Sequence, residues 1–210
     1  PTYQSIIVTS FAHGWANFGV RVAVVPLFVE ATFTNGGTIA GYVLSAYAVG
    51  NALALQFSGR IADAIGRKPP IYCGLIVAMI FTASFGFIHN FGMLVVFSAC
   101  IGIGAGLSGP PTQAALADII GSDRNGGKIL AAFQMAGDCG AILSPLAIGW
   151  VVQQYGYEYA FLIAGAVIFV ALATWLRAKE TLHRPSDLGD TQLTEVVGAV
   201  ITRDGRILAA

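Results

Sequence analysis

The chain has 210 residues, of which 56% are hydrophobic and 10% are charged, and its formal net charge is zero. A soluble domain carries about 25% charged residues, so this composition indicates a membrane protein and argues against a large soluble core. Zero net charge gives no electrostatic reason to expect a nucleic-acid partner. The three cysteines, Cys73, Cys100 and Cys139, all fall in apolar runs. They are expected to be small buried residues rather than a disulfide or metal set, and no cofactor is predicted.

Six apolar runs follow one another, and each is long enough to cross a bilayer, which requires about 20 residues per helix. The spans are expected at about residues 5–30, 36–58, 69–89, 92–118, 128–152 and 158–177. The predicted fold is an all-α membrane protein with six transmembrane helices in residues 1–182, followed by a polar linker at 183–194 and a tail at 195–210. The chain begins at Pro1 without a signal-peptide pattern, and we expect it to be a fragment of a longer polypeptide.

Among the connections that follow these runs, only alternate ones contain lysine or arginine. The connections after the first, third and fifth runs contain none, whereas those after the second, fourth and sixth contain eight: Arg60, Arg67, Lys68, Arg124, Lys128, Arg177, Lys179 and Arg184. Short basic connections are retained on the cytoplasmic side of a membrane. The sequence therefore predicts a multi-pass protein of the cell membrane, in contact with lipid, with both ends of the chain in the cytoplasm.

The first run carries His13, Asn17 and Arg21 at intervals of four, so on a helix they form one polar stripe. A charge at membrane depth is expensive and usually faces the bundle interior or a water-filled cavity. Arg21 lies too far into its span to be merely interfacial. We therefore expect the stripe to line a cavity. A structural contact between helices, or an Arg21 side chain that snorkels outward, would also account for it.

The second run offers Tyr47 and Asn51, which are again four residues apart. Either side chain can line a pathway through the membrane. Polar residues of this kind more often form hydrogen bonds between helices, and we favour that use here.

A short charged stretch connects the second and third runs. It reads Gly59-Arg60-Ile61-Ala62-Asp63-Ala64-Ile65-Gly66-Arg67-Lys68-Pro69 and is predicted to form a tight hairpin loop. Gly59 and Gly66 let the backbone turn without a Cβ penalty, and Pro69 suits the first turn of the next helix. Asp63 lies one helical turn after Gly59, where it can meet a basic side chain or a helix N-terminus.

This pattern, Gly-x-x-x-Asp-x-x-Gly-Arg-Lys, resembles the loop between the second and third helices of a major facilitator superfamily half, and the resemblance covers about residues 5–182. It implies a six-helix half of a transporter, to be completed by a second half of the same polypeptide. It also implies that Gly59, Asp63, Gly66, Arg67 and Lys68 form a latch at the cytoplasmic face during alternating access. The alternative is that the charges only fix topology and solvate a turn.

The fourth run contains Gly102-Ile103-Gly104-Ala105-Gly106-Leu107-Ser108-Gly109-Pro110-Pro111. Small residues permit close approach of helices, and the two prolines should bend or loosen the helix. A nucleotide-binding loop is disfavoured because no strand precedes the run and no Lys-Ser/Thr follows it. In the family the first and fourth helices of each half line the substrate cavity, so the resemblance makes Ser108 and Gln113 lining candidates.

The fourth run also bears on which half of the transporter this is. It lacks the intramembrane arginine that is common in N-terminal halves of drug antiporters. The segment from Phe11 to Arg21 looks more like the first helix of a C-terminal half. We therefore expect a C-terminal half that resembles those of drug-efflux proteins.

The fifth run has Gln134 and Asp138, four residues apart and within the membrane. The Asp138 carboxylate is expected to carry a proton or to pair with a basic side chain, and the ion pair is favoured. The nearby pattern Gly140-x3-Ser144-Pro145-x3-Gly149 is loosely similar to a signature of the antiporter branch. It departs from that signature at Ser144, where glycine is expected, and so does not fix the direction of transport.

The tail changes character after Leu182. Residues 195–210 read as two short apolar runs joined at Asp204-Gly205, a strong hairpin signal. This segment resembles the opening hairpin of a Nudix hydrolase domain whose catalytic helix would lie further on. A cytoplasmic tail without fixed structure is the alternative.

The resemblance implies a secondary transporter that exports small or drug-like molecules and is driven by protons. An uptake symporter for a sugar or metabolite is the alternative within the same class. A membrane-anchored Nudix hydrolase fusion, truncated before its active site, is the alternative from another class. No enzyme is expected within residues 1–210, because the three histidines lie far apart and neither a Ser-His-Asp set nor a metal-ligand spacing is present.

Overall fold

The computed structural model describes residues 2–121, 126–178 and 180, and within these residues the chain forms six helices and no strand. They are α1 (residues 2–32), α2 (Gly36–Ile65), α3 (Lys68–Phe85), α4 (Phe91–Ile120), α5 (Gly126–Tyr155) and α6 (Tyr157–Trp175). The predicted all-α class is confirmed, and one helix occupies each of the six predicted runs. The expected linker and tail, at 183–194 and 195–210, lie outside the described residues.

Helices α2 to α6 are each long and apolar enough to cross a membrane. Helix α1 is continuous but changes type: Thr2–His13 is α-helical, Gly14–Val24 is π-helical and Val25–Thr32 is α-helical again. The Val25 N–H donates to the Val20 carbonyl, five residues back, as π-helical bonding requires. The chain is a multi-pass membrane protein.

The connection between α2 and α3 differs from the prediction. Helix α2 runs to Ile65, so the stretch expected to be a loop is mostly helical and only Gly66 and Arg67 lie between the two helices. Gly59 is therefore an exposed helical residue rather than a turn. Residues 60–65 are good or neutral helix formers, and Ala62 is buried against the bundle, which favours continuing the helix. Gly66 makes the turn, with a φ of +112°.

The glycines of α4 allow close helix packing, as predicted. Gly102 and Gly106 lie against the α2 backbone near Asn51, and Gly104 lies against Gly74 of α3. A Cβ at Gly106 would come within 2.6 Å of the Asn51 carbonyl oxygen, so only glycine fits there without a shift. Helix α4 stays helical through its two internal prolines.

Helix α5 also packs against α1 through glycines that let the two backbones approach closely. A Cβ at Gly140 would come within 2.9 Å of the Trp15 backbone nitrogen, and one at Gly14 would overlap the backbone of Gly137. Helix α6 completes the bundle by packing against α3 and α1. The π-helical part of α1 is therefore buried against neighbouring helices on one side, whereas Phe18 and Val22 on its other side are exposed.

Two apolar clusters fill the bundle, one near each end. Phe28 packs against Phe85, Tyr157 and Phe161 at the end where α1 finishes. Trp175 is buried at the other end, and its Nε1–H donates to Oγ1 of Thr9 at 2.8 Å. This second end also carries Arg60, Arg67, Lys68, Lys128 and Arg177, and we call it the basic end.

Three expectations about single residues change. Cys73 and Cys139 are exposed on the helix surfaces, and Cys100 is half-buried, so none belongs to the core. An apolar run on a transmembrane helix has a lipid-facing side, and burial does not follow from apolar neighbours alone.

Arg124, Lys179 and Arg184, which were predicted for the cytoplasmic connections, lie outside the described residues.

Candidate functional site

A cavity of about 660 Å³ lies between α1, α2, α4 and α5. Polar side chains from all four helices line it. Six of them were expected from the sequence to line a cavity: His13, Asn17, Arg21, Tyr47, Asn51 and Gln113. Gln134 and Asp138, which were expected to form a proton-coupling or ion-pair site, line it as well. The four-residue spacings bring these side chains to the same side of each helix. The remaining lining residues include Phe18, Leu55 and Phe133, so the cavity offers both polar and apolar contacts.

Ser108 does not line this cavity, contrary to the expectation from the resemblance. It is completely buried, and its hydroxyl donates to the Gly104 carbonyl of its own helix at 2.9 Å. Its oxygen also lies 3.0 Å from Nε2 of His13. When the Ser108 hydroxyl donates to Gly104, the tautomer of His13 that is protonated at Nε2 donates to the Ser108 oxygen. Ser108 therefore orients His13, which lines the cavity, although Ser108 itself does not reach the cavity surface.

Arg21, Tyr47 and Asn17 form one connected unit across α1 and α2. The Tyr47 hydroxyl donates to Oδ1 of Asn17 at 3.1 Å, and the Arg21 guanidinium lies over the face of the Tyr47 ring. Tyr47 thus makes the interhelical hydrogen bond that was favoured for it and also lines the cavity. Nη1 of Arg21 is buried and has no hydrogen-bond partner among the residues that the structure describes. Arg21 also borders a second, much smaller cavity with Thr82 and Ser98.

Asp138 and Gln134 are exposed on the α5 side of the cavity. The neighbouring Gly137 packs against Ser10 and Gly14 of α1, which fixes the level of Asp138 along the bundle. No basic side chain in residues 2–121, 126–178 and 180 lies within ion-pair distance of Asp138. The favoured ion pair is thus not formed by the part of the chain described here.

A charged cluster occupies the basic end, formed by Asp63, Arg67, Lys68, Asp118 and Glu180. Nη1 of Arg67 donates to Oδ1 of Asp63, and its Nε donates to Oδ2 of Asp118 at 3.3 Å. The side chain of Arg67 is 15% exposed, whereas that of Asp63 is 69% exposed. The contact to Asp118, which is 26% exposed, therefore joins the α2–α3 turn to the end of α4 with less solvent screening.

Glu180 ties the same turn to the segment that follows α6. Its carboxylate accepts hydrogen bonds from the backbone N–H groups of Arg67 at 2.9 Å and Lys68 at 3.1 Å, at the N-terminus of α3. A carboxylate at a helix N-terminus also interacts favourably with the helix dipole. Nζ of Lys68 donates in turn to the Ala178 carbonyl at 2.7 Å. Three separated parts of the chain therefore meet at this end.

The Arg67 guanidinium is held in its protonated form by its surroundings. Partial burial lowers its pKa, but the hydrogen bonds and charges of Asp63 and Asp118 outweigh burial and raise the pKa above the usual value. Because the folded-state pKa of Arg67 is raised, its titration leaves the stabilisation in place at neutral pH and removes it only as pH rises through the raised value. The arginine therefore stays charged throughout the physiological range.

The sequence predicted the members of this cluster that lie at the α2–α3 turn but not their partners from other parts of the chain. Asp63, Arg67 and Lys68 were expected there, whereas Asp118 and Glu180 were not assigned to it. The available signal was positional, because both acidic residues lie at the ends of runs on the basic side. Gly59, by contrast, lies on the α2 surface, where a Cβ would have no described residue within 4 Å beyond its own helix, so it makes no contact with the cluster.

Comparison with known proteins agrees with this architecture. The family model of the Major Facilitator Superfamily matches residues 6–207. The chain is 25% identical over 169 residues to multidrug resistance protein 2 of Bacillus subtilis, covering 80% of the chain and 42% of that protein. It is 28% identical over 190 residues to multidrug resistance protein MdtG of Citrobacter koseri, covering 88% and 46%. The chain thus spans less than half the length of these relatives.

The fold is also similar to solved transporter structures. A crystal structure of the peptide transporter POT in complex with sulfate matches 95% of the chain and 44% of its own, with a TM-score of 0.75 and 20% identity. The in meso structure of the POT family transporter PepTSo matches 98% and 43%, with a TM-score of 0.76 and 20% identity. At this level of identity the likeness shows the fold alone.

The family match also includes most of the tail. Residues 195–207 were expected to begin a Nudix-like hairpin, but they fall inside the matched range, and the Nudix resemblance gains no support. Because the match extends over nearly the whole chain, from the π-helical first helix to the tail, the chain belongs to the Major Facilitator Superfamily.

Proposed function

We propose that the full-length protein is a secondary transporter that exports small or drug-like molecules in exchange for protons, and that this chain supplies its C-terminal six-helix half. The observation that carries the proposal is the polar cavity of about 660 Å³ inside an otherwise apolar bundle. Polar and ionisable groups at membrane depth are costly and are kept where they serve a pathway. In transporters built from repeated halves, substrate binds between the halves near the midplane.

In this proposal the substrate contacts side chains from four helices. His13, Asn17 and Arg21 present the α1 stripe, Tyr47 and Asn51 present α2, and Gln113 presents α4. The second half closes the cavity on its open side. Rocking of the two halves exposes the site alternately to the two faces of the membrane.

The charged cluster is proposed to act as the cytoplasmic latch. The distribution of lysine and arginine supports a cytoplasmic position for the basic end. The Arg67–Asp118 and Glu180 contacts join the α2–α3 turn to the ends of α4 and α6, so a movement of these helices relative to one another would stretch them. Their formation in one state and rupture in another would bias the equilibrium between the two states.

Export and proton coupling have two supports. Multidrug resistance proteins are among the relatives of this chain. Asp138 presents a carboxylate to the cavity without a basic partner among the described residues, which leaves it free to exchange a proton. Antiport then follows if protonation of Asp138 and substrate binding exclude each other.

Transport by inside-out membrane vesicles that contain the full-length protein tests direction and coupling together. We expect an acidic lumen to drive accumulation of a fluorescent drug-like dye, and a protonophore to abolish it. Asp138→Asn should remove the dependence on the pH gradient, whereas the matched change Glu158→Gln, at an exposed site at the start of α6, should not. Accumulation only in right-side-out vesicles with an acidic exterior would instead indicate an uptake symporter.

A further inference from the structure

We propose that Arg21 makes this transporter select substrates that carry an anionic group, and that a substrate carboxylate binds to the guanidinium where it lies on the Tyr47 ring. This inference rests on the proposed function, because it names the substrate class of the same cavity. It goes beyond that function, because a drug exporter can carry cations, anions or neutral molecules.

The charge of Arg21 is uncompensated in the part of the chain that the structure describes. Ion pairs there belong to Arg67, and no carboxylate comes within 4.0 Å of Arg21. Nη1 is buried and has no hydrogen-bond partner among the described residues, and Arg21 as a whole is half-buried. A buried cation without a counter-charge is costly within a membrane. An anionic ligand would supply the counter-charge each time it bound.

The guanidinium is held in position before a ligand arrives. It lies over the Tyr47 ring, and the Tyr47 hydroxyl is fixed by its hydrogen bond to Oδ1 of Asn17. The attraction between a cation and an aromatic face holds the guanidinium on the ring without using its N–H groups as donors to the ring edge. These N–H groups therefore remain available to a ligand. The planar fork of an arginine suits two parallel hydrogen bonds to a carboxylate. Tyr47 is a positioning residue in this arrangement.

The other ionisable groups of the cavity do not neutralise Arg21. Asp138 is exposed, and it follows Gly137, which packs at the level of Gly14 rather than of Arg21. As an exposed carboxylate it is hydrated and makes a weaker demand for a counter-ion. His13 is engaged with Ser108 at 3.0 Å. Of the ionisable groups in the cavity, Arg21 is therefore the one that a bound anion would stabilise most.

Two dyes with the same xanthene skeleton test the inference: carboxyfluorescein, which is anionic, and rhodamine 123, which is cationic. Efflux of each is measured from cells that express the full-length protein. We expect carboxyfluorescein export by the parent protein and a fall of roughly tenfold or more in Arg21→Gln, the size expected for loss of a charge-assisted hydrogen bond. Arg21→Lys should restore part of this export, because the charge is kept and the fork is lost.

Arg60→Gln is the matched control, since Arg60 is exposed on α2 away from the cavity, and it should leave carboxyfluorescein export unchanged. Membrane levels and gel-filtration profiles of all variants exclude misfolding as the cause. Export of rhodamine 123 alone, or an equal response of both dyes to Arg21→Gln, would overturn the inference and leave the transporter function standing. Failure to transport either dye would count against the proposed function and against this inference with it.

Discussion

Gly59 and Gly66 belong to one short stretch of sequence, but only Gly66 requires glycine. Its φ is +112°, and a Cβ there would lie 2.7 Å from a carboxylate oxygen of Glu180. Gly66→Ala is therefore expected to lower the free energy of unfolding by about 1–3 kcal/mol, because an alanine is strained in this conformation. The shift in the position of Glu180 would also weaken its hydrogen bonds to the start of α3.

Gly59→Ala is the matched change in the same stretch. Gly59 is helical, and nothing lies within 4 Å of a Cβ built there. Alanine is the better helix former by about 1 kcal/mol, so this variant should be as stable as the parent or more so. Thermal unfolding of the two purified full-length variants in detergent measures the difference. Equal effects of the two substitutions on thermal stability would contradict the requirement for glycine at the Gly66 turn.

At the scale of single residues, the sequence predicted the polar side of each helix but not the partners of each side chain. His13, Asn17 and Arg21 share a face because four-residue spacing follows the helical repeat. Ser108 shows the limit: its distance from His13 depends on how closely α4 and α1 pack, which spacing along one helix does not contain. The same reason hid Asp118 and Glu180, whose partners come from other helices.

At the scale of helices, glycine contacts set how closely α1 and α5 approach. Gly140→Ala should lower the free energy of unfolding by roughly 1–3 kcal/mol, since its Cβ would press on the backbone of α1. Gly149→Ala is the matched control on the same helix, because nothing lies within 4 Å of a Cβ there. Thermal unfolding of both full-length variants gives the comparison. Equal stability of the two would show that α1 and α5 do not meet at Gly140.

The number of helices was predictable, and their ends and types were less so. Apolar run length gives the part that crosses lipid, but α2 continues beyond its apolar run to Ile65 because residues 60–65 still favour helix. The π-helical Gly14–Val24 has the same apolar character as an α-helical span, so composition cannot distinguish them. The segment packs closely against α5, a tertiary contact that composition does not contain.

At the scale of the whole molecule, the chain spans less than half the length of the relatives it matches. It spans 42% and 46% of two multidrug resistance relatives, and large apolar side chains such as Leu143 and Leu146 of α5 are exposed. Exposed apolar surface on a membrane bundle is satisfied by lipid or by a second half. The membrane class followed from composition alone, whereas the open side of the cavity appears only once the helices are packed.

The central claim is that the polar cavity is the substrate pathway, and thiol labelling tests it most directly. The full-length protein, with its native cysteines replaced, receives Asn51→Cys in the cavity or Phe169→Cys on the exposed apolar surface of α6. We predict that a polar, membrane-impermeant maleimide labels the first variant, that a transported dye protects it, and that the second variant resists labelling. Labelling at Phe169→Cys but not at Asn51→Cys, or labelling at Asn51→Cys that no transported dye reduces, would contradict the account.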